Sequence, residues 1–157
     1  MTEFHYYIGM EKHKVYLSAI LDLYDRRIVS YVIRDKNNNA LVFDTVDNAL
    51  LRNPGAQPLF HSDRGFQYTN RTFHIKLVNA GITQSMSRVA KCIDNGPMEG
   101  FWGILKRERY YGKRFTDRDT LEKMIGDYID YYNNKRLQRN LGILTPMEKH
   151  EIYLQAA

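Results

Sequence analysis

The sequence predicts one domain of mixed α/β class, with a five-stranded sheet flanked by helices. Three observations carry this. The chain of 157 residues suits one compact domain with a real core. Its 43% hydrophobic content is that of an ordinary globular protein, and aromatics reach 13%. The hydrophobic period also changes along the chain, from three β-compatible runs to alternating helices and short strands.

The elements follow in order. Thr2 to Ile8 is rich in aromatics and reads as a strand, and Gly9 to Lys14 reads as a polar turn. Val15 to Tyr24 is apolar and β-compatible, Asp25-Arg26 is a tight turn, and Arg27 to Arg34 alternates as a third antiparallel strand. Asn37-Asn38-Asn39 offers caps for a helix over Ala40 to Leu51, ended by Asn53-Pro54-Gly55. Pro58 to His61 is a short strand. Thr69 to Ala80 is a helix with Phe73, Ile75, Leu77 and Val78, stopped by Gly81. Ile82 to Met86 is the fifth strand, and Ser87 to Gly96 is a polar loop. Asn95 or Gly96 caps a helix from Pro97 to Tyr110. Thr116 caps another through Asn133, and Thr145-Pro146 opens a last short helix. Residues from about 112 to 157 form a C-terminal helical extension of the single domain.

The charge balance narrows the partner. With 23 Lys and Arg against 18 Asp and Glu, the chain carries +5 and suits a polyanion, nucleic acid first. The single cysteine, Cys92, excludes an internal disulfide and a Cys-rich metal site. The N-terminal stretch lacks a signal-peptide core, and no apolar run reaches the roughly 20 residues of a membrane span. A cytoplasmic protein without a membrane partner is expected.

Two carboxylates draw attention. Asp63 falls just past the end of the fourth strand, and sites in α/β sheets gather beyond the carboxyl ends of strands. Gly65 lets the chain turn there, and Arg64 is within reach of a phosphate. A turn-forming Asp is the simpler reading of this stretch alone. Glu99 lies in the first turn of the helix opened by Pro97, where an acid also complements the helix dipole. Met98, Phe101, Trp102 and Leu105 make a buried face, and Glu99, Gly103 and Lys106 share the opposite stripe. Lys106 and Arg107 can hold a phosphate backbone beside the acid. Two carboxylates from separate elements suit Mg²⁺, which takes oxygen ligands and substrate phosphates. Asp22, within ILDLY, reads as a structural residue of the turn before Arg27. His61 and Asp63 are two apart and can face one ligand, although a strand-end histidine is the plainer reading.

Four segments, YLSAILDLYDRRIVSY, LFHSDRGFQYT, GITQSMSRVAKCIDNGPMEGFWGILKRE and YIDYYNNKRLQRNLGILTPMEK, resemble the catalytic core of bacterial insertion-sequence transposases related to retroviral integrases. Thirty-five residues separate Asp63 from Glu99, as in that family's Asp, Asp, 35 residues, Glu pattern. The resemblance implies an RNase H-like fold and DNA cleavage and strand transfer that depend on Mg²⁺ or Mn²⁺. It makes Asp63 and Glu99 the second and third acids of a triad. Lys106 matches a DNA-contacting position, and Asn95 supports the active-site helix. Lys135, Arg136 and Arg139 in YYNNKRLQRN read equally as a solvated helix end or as contacts to a DNA backbone. The implied partners are transposon-end and target DNA, with self-association or pairing to a full-length transposase, at the bacterial nucleoid.

The family's first acid lies in a first-strand segment reading T-D-x-T-E-F. Thr2-Glu3-Phe4 matches its end, so the acid's place is immediately ahead of Met1. Glu3 points to the other strand face and is a poor substitute. The resemblance therefore implies an N-terminally truncated core, with weakened metal affinity and no strand transfer alone. The alternative is a catalytically dead fragment that binds DNA or pairs with and inhibits a complete transposase.

Overall fold

The computed structural model describes residues 1–87 and 95–157. Strands β1 (Thr2–Ile8), β2 (Glu11–Leu21) and β3 (Ile28–Arg34) form an antiparallel meander. Helix α1 (Asn39–Arg52) follows, then β4 (Leu59–Ser62), α2 (Arg71–Asn79) and β5 (Thr83–Met86). Helix α3 (Gly96–Leu105) runs on as a π turn over Lys106–Tyr110, and α4 (Arg118–Asn134) and α5 (Pro146–Ala156) complete the chain. The order of elements is the expected one. The five strands hydrogen-bond as two groups among the described residues, the antiparallel meander and a parallel β4–β5 pair.

The first hairpin is tighter than its sequence suggests. Ile8 faces Glu11, so only Gly9 and Met10 turn, and Gly9 has φ 61°. Glycine takes that conformation at the first central position without steric cost. Glu11 to Lys14, expected in the turn, belong instead to β2. Their polar side chains alternate between faces at a sheet end, so no local signal marks the strand. At its other end β2 stops at Leu21, short of Tyr24. Asp22 Oδ1 accepts from the backbone N–H of Tyr24 at 2.7 Å, and Asp22 exchanges backbone bonds with Arg26 and Arg27. Asp22 thus holds the turn, as expected.

Each face of the meander carries a core. On one, Phe4, Val15 and Leu17 pack with Phe101, Trp102 and Leu105 of α3 and with Leu121, Ile125, Tyr128, Ile129 and Tyr132 of α4. On the other, Ile20 meets a smaller core of Val42, Val46, Phe73, Leu77 and Ile82 from α1, α2 and the approach to β5. Ile75 and Val78 of α2 are 46% and 56% exposed. Only a narrow strip of this short helix, centred on Phe73 and Leu77, meets the sheet.

Local chemistry sets the helix ends. Asn38 caps α1 by accepting from Leu41 N–H, and Asn70 caps α2 through Thr72 N–H, so α2 starts after Thr69 rather than at it. Asp117, not Thr116, caps α4 by accepting from Thr120 N–H at 2.7 Å. Phe115 fixes that choice: it is buried, and its carbonyl accepts from Tyr7 N–H. Thr145 and Glu148 form a reciprocal capping box at α5. No helix among the described residues is long and apolar enough to cross a membrane.

Candidate active site

Asp63 follows the last residue of β4, and its carboxylate is fixed by a short local bond. Gly65 N–H donates to Asp63 Oδ1 at 2.7 Å. A Cβ on Gly65 would stand 2.9 Å from the same oxygen, so a larger residue there would press on the Asp63 carboxylate. Glu99 comes from the first turn of α3, opened by Pro97. Both acids are exposed, and both line one cavity of about 510 Å³. Met1, His61, Tyr68, Asn95 and Trp102 also line it, and its remaining wall includes apolar side chains of β2, β4 and α1.

The end of β1 opens into the same cavity. Burial lowers the pKa of the Met1 α-amine, while the charge of Asp63 acts to raise it. The Tyr68 phenol is pushed far up, first by burial and then by Asp63, so it stays neutral at the cavity wall. No group of three or more His, Cys, Asp or Glu side chains positioned for a metal exists among the described residues. Asp63 and Glu99 each bring hard carboxylate oxygens to the cavity wall.

Ser87 ties the two carboxylate-bearing elements together. It is 5% exposed, and its N–H and Oγ both donate to the Ser62 carbonyl, at 2.9 and 3.2 Å. Asn95 Nδ2 donates to Ser87 Oγ at 2.8 Å. His61 spans Ser85 Oγ and Ser87 Oγ through its two ring nitrogens, at 3.1 and 3.3 Å. Asn95 is the N-cap residue of α3, but its side chain makes no capping bond. It joins the helix start to β5 instead. Sequence reasoning missed Ser87. The alternation of Ser85 and Ser87 on one side of a strand was the signal available.

The basic candidates scatter. Arg64 Nε donates to the Ser87 carbonyl at 2.8 Å. Lys106 is half-buried with Nζ 5.1 Å from the centre of the Phe4 ring, and burial lowers its pKa while Glu3 opposes this. Arg107 is exposed and folds back on Gly103. Arg136 grips Glu108 with two nitrogens, at 2.7 and 3.1 Å, and Tyr128 donates to the same carboxylate at 2.8 Å. Lys135 is exposed at the end of α4. The readings of Cys92 and of most of the loop before α3 lie outside the described residues.

Comparison with known proteins points one way. A family profile described as integrase core domain matches residues 2–92, and a second with the same description matches 99–152. An uncharacterized transposase-like protein of Haemophilus influenzae is 43% identical over 134 residues, covering 85% of this chain and 62% of that protein. A transposase for insertion sequence element IS904 of Lactococcus lactis is 32% identical, covering 90% of this chain and 57% of that protein. The chain thus spans somewhat over half the length of these relatives. In fold it is similar to the HTLV-2 integrase catalytic core domain, solved in complex with magnesium. That match has a TM-score of 0.67 at 15% identity and covers 95% of this chain and 92% of the other.

Proposed function

The chain belongs to the integrase core domain family, and from that premise we propose that it is the catalytic core of an insertion-sequence transposase, with Asp63 and Glu99 as its metal-holding acids. The observation that carries the reading is the shared cavity: one acid follows β4, the other opens α3, and both face the same space. A divalent cation bound there would supply charge stabilisation at phosphoryl oxygens. The chain's own residues do the rest. Asp63 is pre-oriented by Gly65 N–H. Asn95, Ser87 and Arg64 keep the Glu99 helix, β5 and the Asp63 turn in register. Lys106, Arg107 and Lys135 supply cations for phosphate, and transposon-end and target DNA are the proposed substrates.

A third acid is the remaining requirement. The proposed place is the position ahead of Met1, whose amine already lies in the field of Asp63. An acid at that place would add a third oxygen ligand and raise metal affinity. The second reading is a catalytically silent protein that binds DNA or pairs with a complete transposase.

Calorimetric titration with Mn²⁺ tests the site. Binding weakens in Asp63→Asn and in Glu99→Gln, and tightens by about 10-fold or more when Thr-Asp is appended ahead of Met1. Strand transfer on a duplex substrate appears only in that extended protein. Mn²⁺ binding indifferent to both single substitutions sinks the metal reading. Tighter binding without strand transfer supports the silent fragment.

A further inference from the structure

One face of the meander is only partly covered. Ser30 Oγ donates to the Thr45 carbonyl at 2.6 Å, so α1 lies on the face shared by the even-numbered residues of β2. The helix packs on β3 and β2, and its ion pair between Asp44 and Arg34 lies opposite Tyr16. Beyond Tyr16 the face runs on through the cross-strand pairs His5 with Lys14 and Tyr7 with Lys12. Lys12 and Lys14 are exposed. Arg114 joins them from the loop before α4, with its guanidinium 4.7 Å from the Tyr7 ring centre and Nη2 donating to the Gly9 carbonyl at 3.1 Å. Glu3 is the acid on this face, 3.3 Å from Lys14 Nζ and 3.5 Å from His5 Nε2. Three cations therefore stand against one carboxylate, interleaved with aromatic rings.

We propose that this hairpin face, outside the carboxylate cavity, binds the phosphate backbone of duplex DNA. The choice of DNA among polyanions rests on the reading of the chain as a transposase core. The geometry suits it independently. Lys12 and Lys14 are two residues apart on a strand, about 6.6 Å, close to two duplex steps of about 3.4 Å. β1 runs from the hairpin tip to the cavity. Its seven residues span roughly 20 Å, or about six base pairs, so a duplex held at the tip is directed towards Asp63. Burial and then the charge of Lys12 lower the pKa of His5; Glu3 opposes this, and Lys14 and Lys106 add to it.

Fluorescence anisotropy with a labelled duplex, across a salt series, tests the proposal. In Lys12→Gln/Lys14→Gln the affinity falls about 10-fold or more, and the slope of log K against log salt shrinks by about 1.8. Lys12→Arg/Lys14→Arg restores both. Lys123→Gln/Lys149→Gln, with the same change in net charge on α4 and α5, keeps the wild-type slope. The proposal is overturned if the hairpin variant binds as wild type, if the control loses as much, or if wild type fails to bind duplex. It is equally overturned if wild type prefers phosphatidylserine vesicles to duplex. The anisotropy series contains no divalent cation, so a failed Mn²⁺ titration removes the metal reading and leaves this one standing.

Discussion

At the scale of single residues, Glu108 is the most telling side chain outside the site. Its carboxylate takes two nitrogens of Arg136 and the hydroxyl of Tyr128. The Arg136 hydrogen bond is the largest cause holding its pKa below the ordinary 4.5; the Tyr128 bond adds to it, and burial opposes both. An acid with a depressed folded pKa binds protons more readily when unfolded. Its contribution to stability is therefore complete above the unfolded pKa and is lost as pH falls through the lower, folded one. Arg136→Gln should thus flatten the fall in unfolding free energy between about pH 5 and about pH 3, read from urea melts at each pH. Asp117, lowered by its bonds to Thr120, titrates in both proteins and leaves a residual slope. Identical slopes would remove Glu108 from the account of acid stability. The sequence offered Arg136 as a DNA contact because a basic run at a helix end looks the same whether its partner is phosphate or a carboxylate 28 positions away.

Among the elements, the π turn explains how β1 ends its ladder. Tyr111 N–H reaches Lys106 O at 2.7 Å, one residue farther than an α-helical bond. The wider turn carries Tyr110 over β1, where its hydroxyl accepts from His5 N–H at 3.0 Å and its ring meets Phe4 edge-on at 4.9 Å. Phe115 takes the next outward N–H, that of Tyr7. The outer edge of β1 is thereby paired to loop and helix instead of a strand. Tyr110→Phe keeps the ring and orphans the His5 N–H, a loss of about 1 kcal/mol. The thermal midpoint should drop by about 2–4 °C, with Tyr110→Ala dropping further. A Phe variant that melts with wild type would show that water replaces the hydroxyl. Nothing in KRERY announces a π turn, since every residue in it suits an α-helix. Caps were legible where chemistry is local, as at Asn38, Pro97 and Thr145. They were misread where tertiary packing chooses between neighbours, as with Thr116 and Asp117.

For the whole molecule, the two acids rest on different cores. Glu99 rides on α3, whose Phe101, Trp102 and Leu105 belong to a core of 13 buried residues, whereas β4 leads to Asp63 from beside a core of five. The spacing of the acids was legible in the sequence; the division of their support was not, because it depends on which ladder each strand joins. Among the described residues β4 pairs only with β5, over four residues, and Leu59 at its start is 67% exposed. Each buried apolar side chain contributes about 1.5–3 kcal/mol, so opening the smaller unit costs much less than global unfolding. Native-state hydrogen exchange should therefore release the ladder amides of β4 and β5 through a sub-global opening. Ladder amides of the central strand β2 should exchange only with the whole molecule. The opening moves Asp63 while Glu99 stays with the larger core, so if both acids hold Mn²⁺ as proposed, the ion should slow β4 exchange selectively. Exchange of β2 and β4 along one common isotherm, with or without Mn²⁺, would mean that the sheet groups open as one unit and that the gap between the acids is rigid.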